Sequence, residues 1–290
     1  MSDVASVIHD IGYQRYEGPR LGRRYVFGSL YVHGLRTAFG LGRSAKAKIF
    51  PWFVLGVVFL TGLVLAAIRA QVGDEVGVTY TGFADMMAWL VVFFVAVVAP
   101  ELVSRDLRAG VLPLYFSRPL HRNDYVYAKL AALATAVWLL LGAPQLLMFA
   151  IAAFSADKVG DVWTELGDLL PGLAYAVLWA AVFAGIGLLV ASLTGKRAFA
   201  AGGIVAVFLM TTPVVGVLSV MPSQTVNDLA LLFSPSSLVF GVGIWLFESG
   251  ADGDGDSIGS FGPLYLAVAV GLVAGCIALL LARYRKVASS

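Results

Sequence analysis

Residues 100–129 read PELVSRDLRAGVLPLYFSRPLHRNDYVYAK. The segment is basic, punctuated by proline, and flanked on both sides by apolar runs long enough to cross a bilayer. Leu107, Val111, Leu112 and Tyr115 form an apolar stripe on a short helix expected from about residue 104 to 116, with Arg105, Asp106 and Arg108 on its other side. Ser117-Arg118-Pro119 breaks that helix, because a residue before proline is pushed out of the α region. Asn123 or Asp124 can cap the helix that follows. The residues alone leave two readings open. One is a rigid amphipathic lever between two spans; the other is an ordinary loop whose arginines only set topology.

The rest of the chain makes the flanking runs part of a larger membrane domain. Its 290 residues are 59% hydrophobic and 13% charged, about half the charge of a soluble domain. Mean hydropathy is +0.86. A span needs about 20 apolar residues. Six stretches qualify: 49–68, 85–103, 125–154, 169–193, 198–221 and 263–282. The third is long enough to overshoot a bilayer, and Pro144 in it and Pro213 in the fifth are candidate kinks. No short apolar stretch with a small-residue cleavage site lies in the first 48 residues, so no cleaved signal peptide is expected. Cys276 is the only cysteine and lies in an apolar run, which excludes an intrachain disulfide.

Lys and Arg choose the orientation. Arg15, Arg20, Arg23, Arg24, Arg36, Arg43, Lys46 and Lys48 precede span one. Arg105, Arg108, Arg118 and Arg122 follow span two, Lys196 and Arg197 follow span four, and Arg283, Arg285 and Lys286 follow span six. The three opposite loops hold only Arg69 and Lys158 against a larger number of acids. Both termini are therefore expected in the cytoplasm of a multi-pass cell-membrane protein, with the loops around Gly77, Asp161 and Gly253 outside. The resulting domains are a cytoplasmic segment 1–48, a six-span domain 49–282 with an inner loop at 104–124 and an outer region at 222–262, and a cytoplasmic tail 283–290.

Two regions outside the spans carry further pattern. From 24 to 40, Phe27, Leu30, Tyr31, Leu35 and Phe39 fall near one helical face. That face is expected to lie in the lipid headgroup layer, with packing on the bundle as the alternative. In the outer region, apolar segments 229–233 and 238–247 flank Ser234-Pro235-Ser236. They are read as re-entrant helices, or equally as a structured cap.

Catalytic and ligand-binding chemistry has no visible carrier. The span centres contain no Asp, Glu, Lys, Arg or His; Asp85, Glu101 and Asp168 stand at span ends. An intramembrane hydrolase therefore has no residues to work with. No phosphate-binding loop is present, so ATP, if used, is handled by another chain. Gly185-Ile186-Gly187 lies inside span four with no strand before it and reads as helix packing. Asp252, Asp254 and Asp256 imitate the opening of a calcium loop. Ser257 replaces its glycine and Pro263 its bidentate glutamate, which leaves a flexible acidic loop and no metal site. The basic residues are explained by topology, so no nucleic-acid partner is expected.

On one set of residues the chain resembles the permeases of ABC-2 type transporters, the membrane subunits of ABC exporters. They are Glu101, Arg105-Asp106, Gly110-Val111-Leu112, Ser117-Arg118-Pro119-Leu120, Arg122, Asp124-Tyr125 and Lys129. His121 departs from the small polar residue more usual there. The resemblance implies an all-α, six-span fold of the type V exporter kind. It has an N-terminal interfacial helix (Phe27, Leu30, Tyr31, Leu35, Phe39), a coupling helix between spans two and three, and re-entrant outer helices before span six. It implies a homodimer of permeases in membrane lipid, each bound to a separate ABC ATPase that holds ATP and Mg, with no cofactor in this chain. Residues implied to meet that ATPase are Arg105, Asp106, Leu107, Arg108, Gly110, Val111, Leu112, Tyr115, Arg118 and Pro119. The first three polar residues make its polar contacts, and Leu107, Val111 and Leu112 fill an apolar groove. Gly271 and Gly275 form a small-xxx-small pair suited to dimer packing or to packing within the chain. The implied function is export of an amphipathic or lipid-like substrate, since no buried charge is offered to an ion. The competing reading is a non-transporting scaffold or regulatory subunit that binds an ATPase.

Overall fold

The computed structural model describes residues 18, 21–72, 77, 79–108, 110, 121–156, 158–247 and 258–287. All regular structure among them is helical. The elements in order are α1 (Arg23–Ala38), α2 (Ala45–Val72), α3 (Tyr80–Met86), α4 (Ala88–Leu102), α5 (Ser104–Arg108), α6 (Arg122–Ser155), α7 (Val159–Ser192), α8 (Arg197–Leu218), α9 (Gln224–Leu229), α10 (Pro235–Phe247) and α11 (Gly262–Val287). A one-turn 3-10 helix, Ala230–Phe233, extends α9.

Among the described residues, six segments are long and apolar enough to cross a membrane: Ala45–Gln71, Ala88–Arg108, Asn123–Ser155, Val159–Ser192, Arg197–Leu218 and Gly262–Arg285. Helix is the natural state for such stretches, because each backbone donor and acceptor is satisfied within the segment. Pro144 and Pro213 do not interrupt α6 and α8, which run through them. α7 starts at Val159, ten residues before the apolar run that announced it. Asp161, Glu165 and Asp168 hide that extension from a hydropathy reading. At 34 residues, α6 and α7 are each roughly 50 Å long, well beyond a bilayer core of about 30 Å.

α7 is the centre of the bundle, in contact with α3, α4, α6, α8, α10 and α11. The span in α7 is 61% buried, whereas that in α8 is 11% buried, so α8 is a peripheral helix in the single chain. Lipid tails are as apolar as the side chains, so close fit rather than water exclusion holds such helices together. Gly187 provides it: a Cβ there would sit 2.3 Å from Val95 Cγ1 of α4. The expected packing role of the Gly185–Gly187 stretch is met by this contact. Trp179, Phe183 and Phe208 continue the core, with the last two rings stacked at 4.4 Å.

α1 departs from its expected placement. Leu30 is buried, and Phe27, Tyr31, Leu35 and Phe39 pack against the core cluster rather than facing outward. Tyr31 donates to Thr135 Oγ1 at 3.2 Å, and Gly34 lets α1 approach Ala132 of α6. Periodicity identifies an apolar face but does not distinguish lipid from protein as its cover. Arg23 closes the start of α1 with two 2.6 Å hydrogen bonds to the Asp124 carboxylate.

At the opposite end from α5, the segments Gln224–Phe233 and Pro235–Phe247 meet at a 118° bend. Ser234 at the vertex is fully buried, within 3.1 Å of Ser236 Oγ and 3.3 Å of Thr211 Oγ1. Tyr265 of α11 donates to the Asp228 carbonyl at 2.7 Å and packs with Leu238, Val242 and Ile244 of α10. Tyr265→Phe is expected to cost about 1 kcal/mol, the worth of one such hydrogen bond. Faster amide exchange across 224–233, with the rest of the bundle unchanged, is the expected readout. The acidic residues Asp252, Asp254 and Asp256 lie outside the described residues.

Candidate functional site

The basic end of the bundle gathers the termini of five long helices around α5. α4 ends at Leu102, the backbone turns at Val103, and α5 begins at once. Ser104 is completely buried and donates through Oγ to the Ala191 carbonyl near the end of α7, at 2.8 Å. Asp106 Oδ2 accepts from Tyr125 Oη and from Lys129 Nζ, both at 2.9 Å and both on α6. The Lys129 ammonium lies 5.4 Å from the Tyr125 ring centroid, and its side chain is only 4% exposed. Tyr125 in turn packs on Tyr284 of α11, with ring centroids 5.1 Å apart.

This arrangement explains itself electrostatically. An ammonium so deeply buried is costly unless it is paired and hydrogen-bonded. Asp106 supplies the counter-charge, and the tyrosine ring face adds a cation–π contact. The result is a rigid joint: α5 is bound to α6 through Asp106, to α7 through Ser104, and to the core through Leu107.

Several site residues stand differently from their expected roles. Asp106 and Leu107, expected to face a partner, are directed into the bundle. Arg108 is exposed and lies beside the Gly195 turn, where a Cβ would come 3.7 Å from its own Cβ. Of the helix expected over 104–116, the described part is α5, Ser104–Arg108; residues 109 and 111–116 lie outside the described residues. Gly110 follows with φ +61° and donates to the Leu107 carbonyl at 3.3 Å, a left-handed stop that glycine favours. The residue type is itself the sequence signal for such a stop, although Gly110 lies within the stretch expected to be helical. Val111, Leu112, Tyr115, Arg118, Pro119 and the side chain of Arg105 lie outside the described residues. Lys129, near the start of α6 rather than at a span centre, is buried, and its charge is already matched within the chain.

A second ionic cluster ties neighbouring helices at the same end. Glu101 of α4 pairs with Arg43, in the turn before α2, at 2.6 Å, and with Arg197 at the start of α8. Arg283 of α11 donates to the Ser192 carbonyl at 2.7 Å. Glu101 and Lys129 were legible as motif positions, but residue spacing could not reveal their partners 58 positions before, 96 positions after and 23 positions before them.

This fold, six spans with a short helix, α5, locked at the end of the second, coincides with a family-level match. A family model described as ABC-2 family transporter protein matches residues 59–285. The chain belongs to that family. The match runs from within α2 to near the end of α11, so it takes in part or all of each span and the whole α5 joint. No curated protein matches the chain. Together with the six candidate spans, the match makes this ABC-2 family member a multi-pass membrane protein. α1 and the turn carrying Arg43 precede the matched region.

The small-residue pair of this ABC-2 protein has no packing partner among the described residues. A Cβ at Gly271 or Gly275 would meet nothing within 4 Å, and both lie on the exposed face of α11. Packing within the chain, one of the two roles expected for the pair, is not made among the described residues.

Proposed function

We propose that the chain is the permease subunit of an ABC transporter, which exports an amphipathic or lipid-like substrate with ATP hydrolysed by a separate nucleotide-binding subunit. The observation that carries the proposal is the α5 joint. Force applied to the segment after α4 passes through the Asp106–Lys129 pair into α6, and through Ser104 into α7. Two permease copies with two ATPases form the working unit in the membrane, both termini are cytoplasmic, and ATP and Mg reside in the ATPase. In this reading Arg108 and the residues beyond Gly110 touch the ATPase, while Asp106 and Leu107 transmit the motion. The bent pair at the other end is a re-entrant hairpin that gates release.

The test is co-purification with the ATPase encoded nearest to this chain, followed by hydrolysis and transport in lipid nanodiscs. Replacing the catalytic glutamate of that ATPase is expected to abolish transport while leaving the complex intact. Transport that survives the replacement contradicts the proposal.

A further inference from the structure

A cavity of about 350 Å³ opens at the basic end between the α1–α2 turn, α4 and the start of α8. Arg43, Lys46 and Arg197 line it, with Glu101 the single acid and Phe50 and Val97 among its apolar walls. Three cations against one carboxylate leave the cavity with an excess charge of two. Glu101 already engages Arg43 and Arg197. Lys46 is exposed and has no ion-pair partner among the described residues. Neither α2 nor α8 carries an acid in its first turn to offset this charge.

The surroundings place the cavity at a lipid boundary. Ile49, Trp52 and Phe53, on the same end of α2, are 67%, 50% and 63% exposed. Trp52 donates its indole N–H to the Phe39 carbonyl at 3.1 Å. An apolar ring body with a satisfied polar edge at a helix end is the pattern of a membrane–water interface. A cationic cavity with apolar walls at that depth suits a phosphate anion carried on acyl chains.

We infer that this cavity binds the phosphoryl headgroup of an anionic phospholipid, held by Lys46, Arg43 and Arg197. Its assignment to the cytoplasmic leaflet rests on the orientation proposed above; the binding itself does not. The phosphate competes with Glu101 for the two arginines. Because Glu101 lies three residues before α5, occupancy alters the tie between α4 and its neighbours at the joint.

Lipid binding to the full-length permease in detergent, followed by native mass spectrometry, tests this. The probes are phosphatidylglycerol, phosphatidylcholine and inorganic phosphate. Phosphatidylglycerol is expected to bind at least several-fold more tightly than phosphatidylcholine. Lys46→Gln should weaken it about fivefold, the usual contribution of one basic residue near an anionic surface. Glu101→Gln, which removes the internal competitor, should strengthen it, an effect that simple destabilisation would not produce. Arg36→Gln removes an exposed arginine outside the cavity and should change nothing. Equal binding of the two lipids, or equal losses in the Lys46 and Arg36 variants, overturns the site. Displacement of the lipid by millimolar inorganic phosphate identifies a soluble anion as the occupant and overturns the lipid assignment. No ATPase enters these measurements, so their failure is distinct from failure of the transporter reading.

Discussion

Asp106→Ala is expected to destabilise the permease by about 3–5 kcal/mol, because it leaves a buried ammonium unpaired. Lys129 is almost fully enclosed, and its ammonium pairs with the Asp106 carboxylate. Removing that partner also removes the acceptor for the Tyr125 hydroxyl. Thermal unfolding in nanodiscs is the measurement, and the double variant Asp106→Ala/Lys129→Met is the control. Replacing a buried pair by apolar groups is often neutral, so the double variant should recover most of the lost stability. A coupling energy near zero between the two positions would mean that the pair does not hold the joint. With the ATPase bound, the recovered double variant should still hydrolyse ATP but transport poorly, since the α5–α6 link has lost its directional bond. Leu107, implied by the resemblance to fill an apolar groove of the ATPase, packs on the bundle itself.

Gly187→Ala is expected to have the next largest effect. The added carbon would meet Val95 Cγ1 at 2.3 Å, between the two most buried spans of the chain. Forcing a methyl into a packed core costs about 1–3 kcal/mol. The variant should show reduced yield of monodisperse protein and an earlier unfolding transition. Val95→Ala vacates the space, so Gly187→Ala/Val95→Ala should be more stable than Gly187→Ala alone. Equal stability of the single variant and the wild type would show that α4 and α7 do not approach so closely.

The spans were legible because membrane helices announce themselves by length and lack of charge. All six fall where the apolar runs stand, to within a few residues at most ends. The failures have a common cause. α7 begins at Val159, ahead of the apolar run, and within that polar extension Glu165 finds its partner in Arg69 at 2.6 Å. Asp85 looked like the head of a span; it belongs to α3, and accepts from the Tyr175 hydroxyl of α7 at 2.5 Å. Gln145, fully buried in α6, carries no charge to mark it at depth; it donates to the Tyr80 carbonyl at 3.2 Å. In each case the residue type was visible and its partner was not. The segment after α4 shows the same limit: which side of α5 faces the bundle depends on Asp106 and Ser104 finding partners on other helices.

Photo-cross-linking from position 108 tests the account most directly. A cross-linking side chain at Arg108, on the exposed side of α5, should capture the ATPase in nanodiscs. The same group at Phe154, 92% exposed at the far end of α6, should not. Capture at 108 that is lost when the ATPase is omitted, and absent at 154, is the predicted result. No capture at 108 from an otherwise assembled complex would contradict the assignment of this end of the bundle as the place where an ATPase acts.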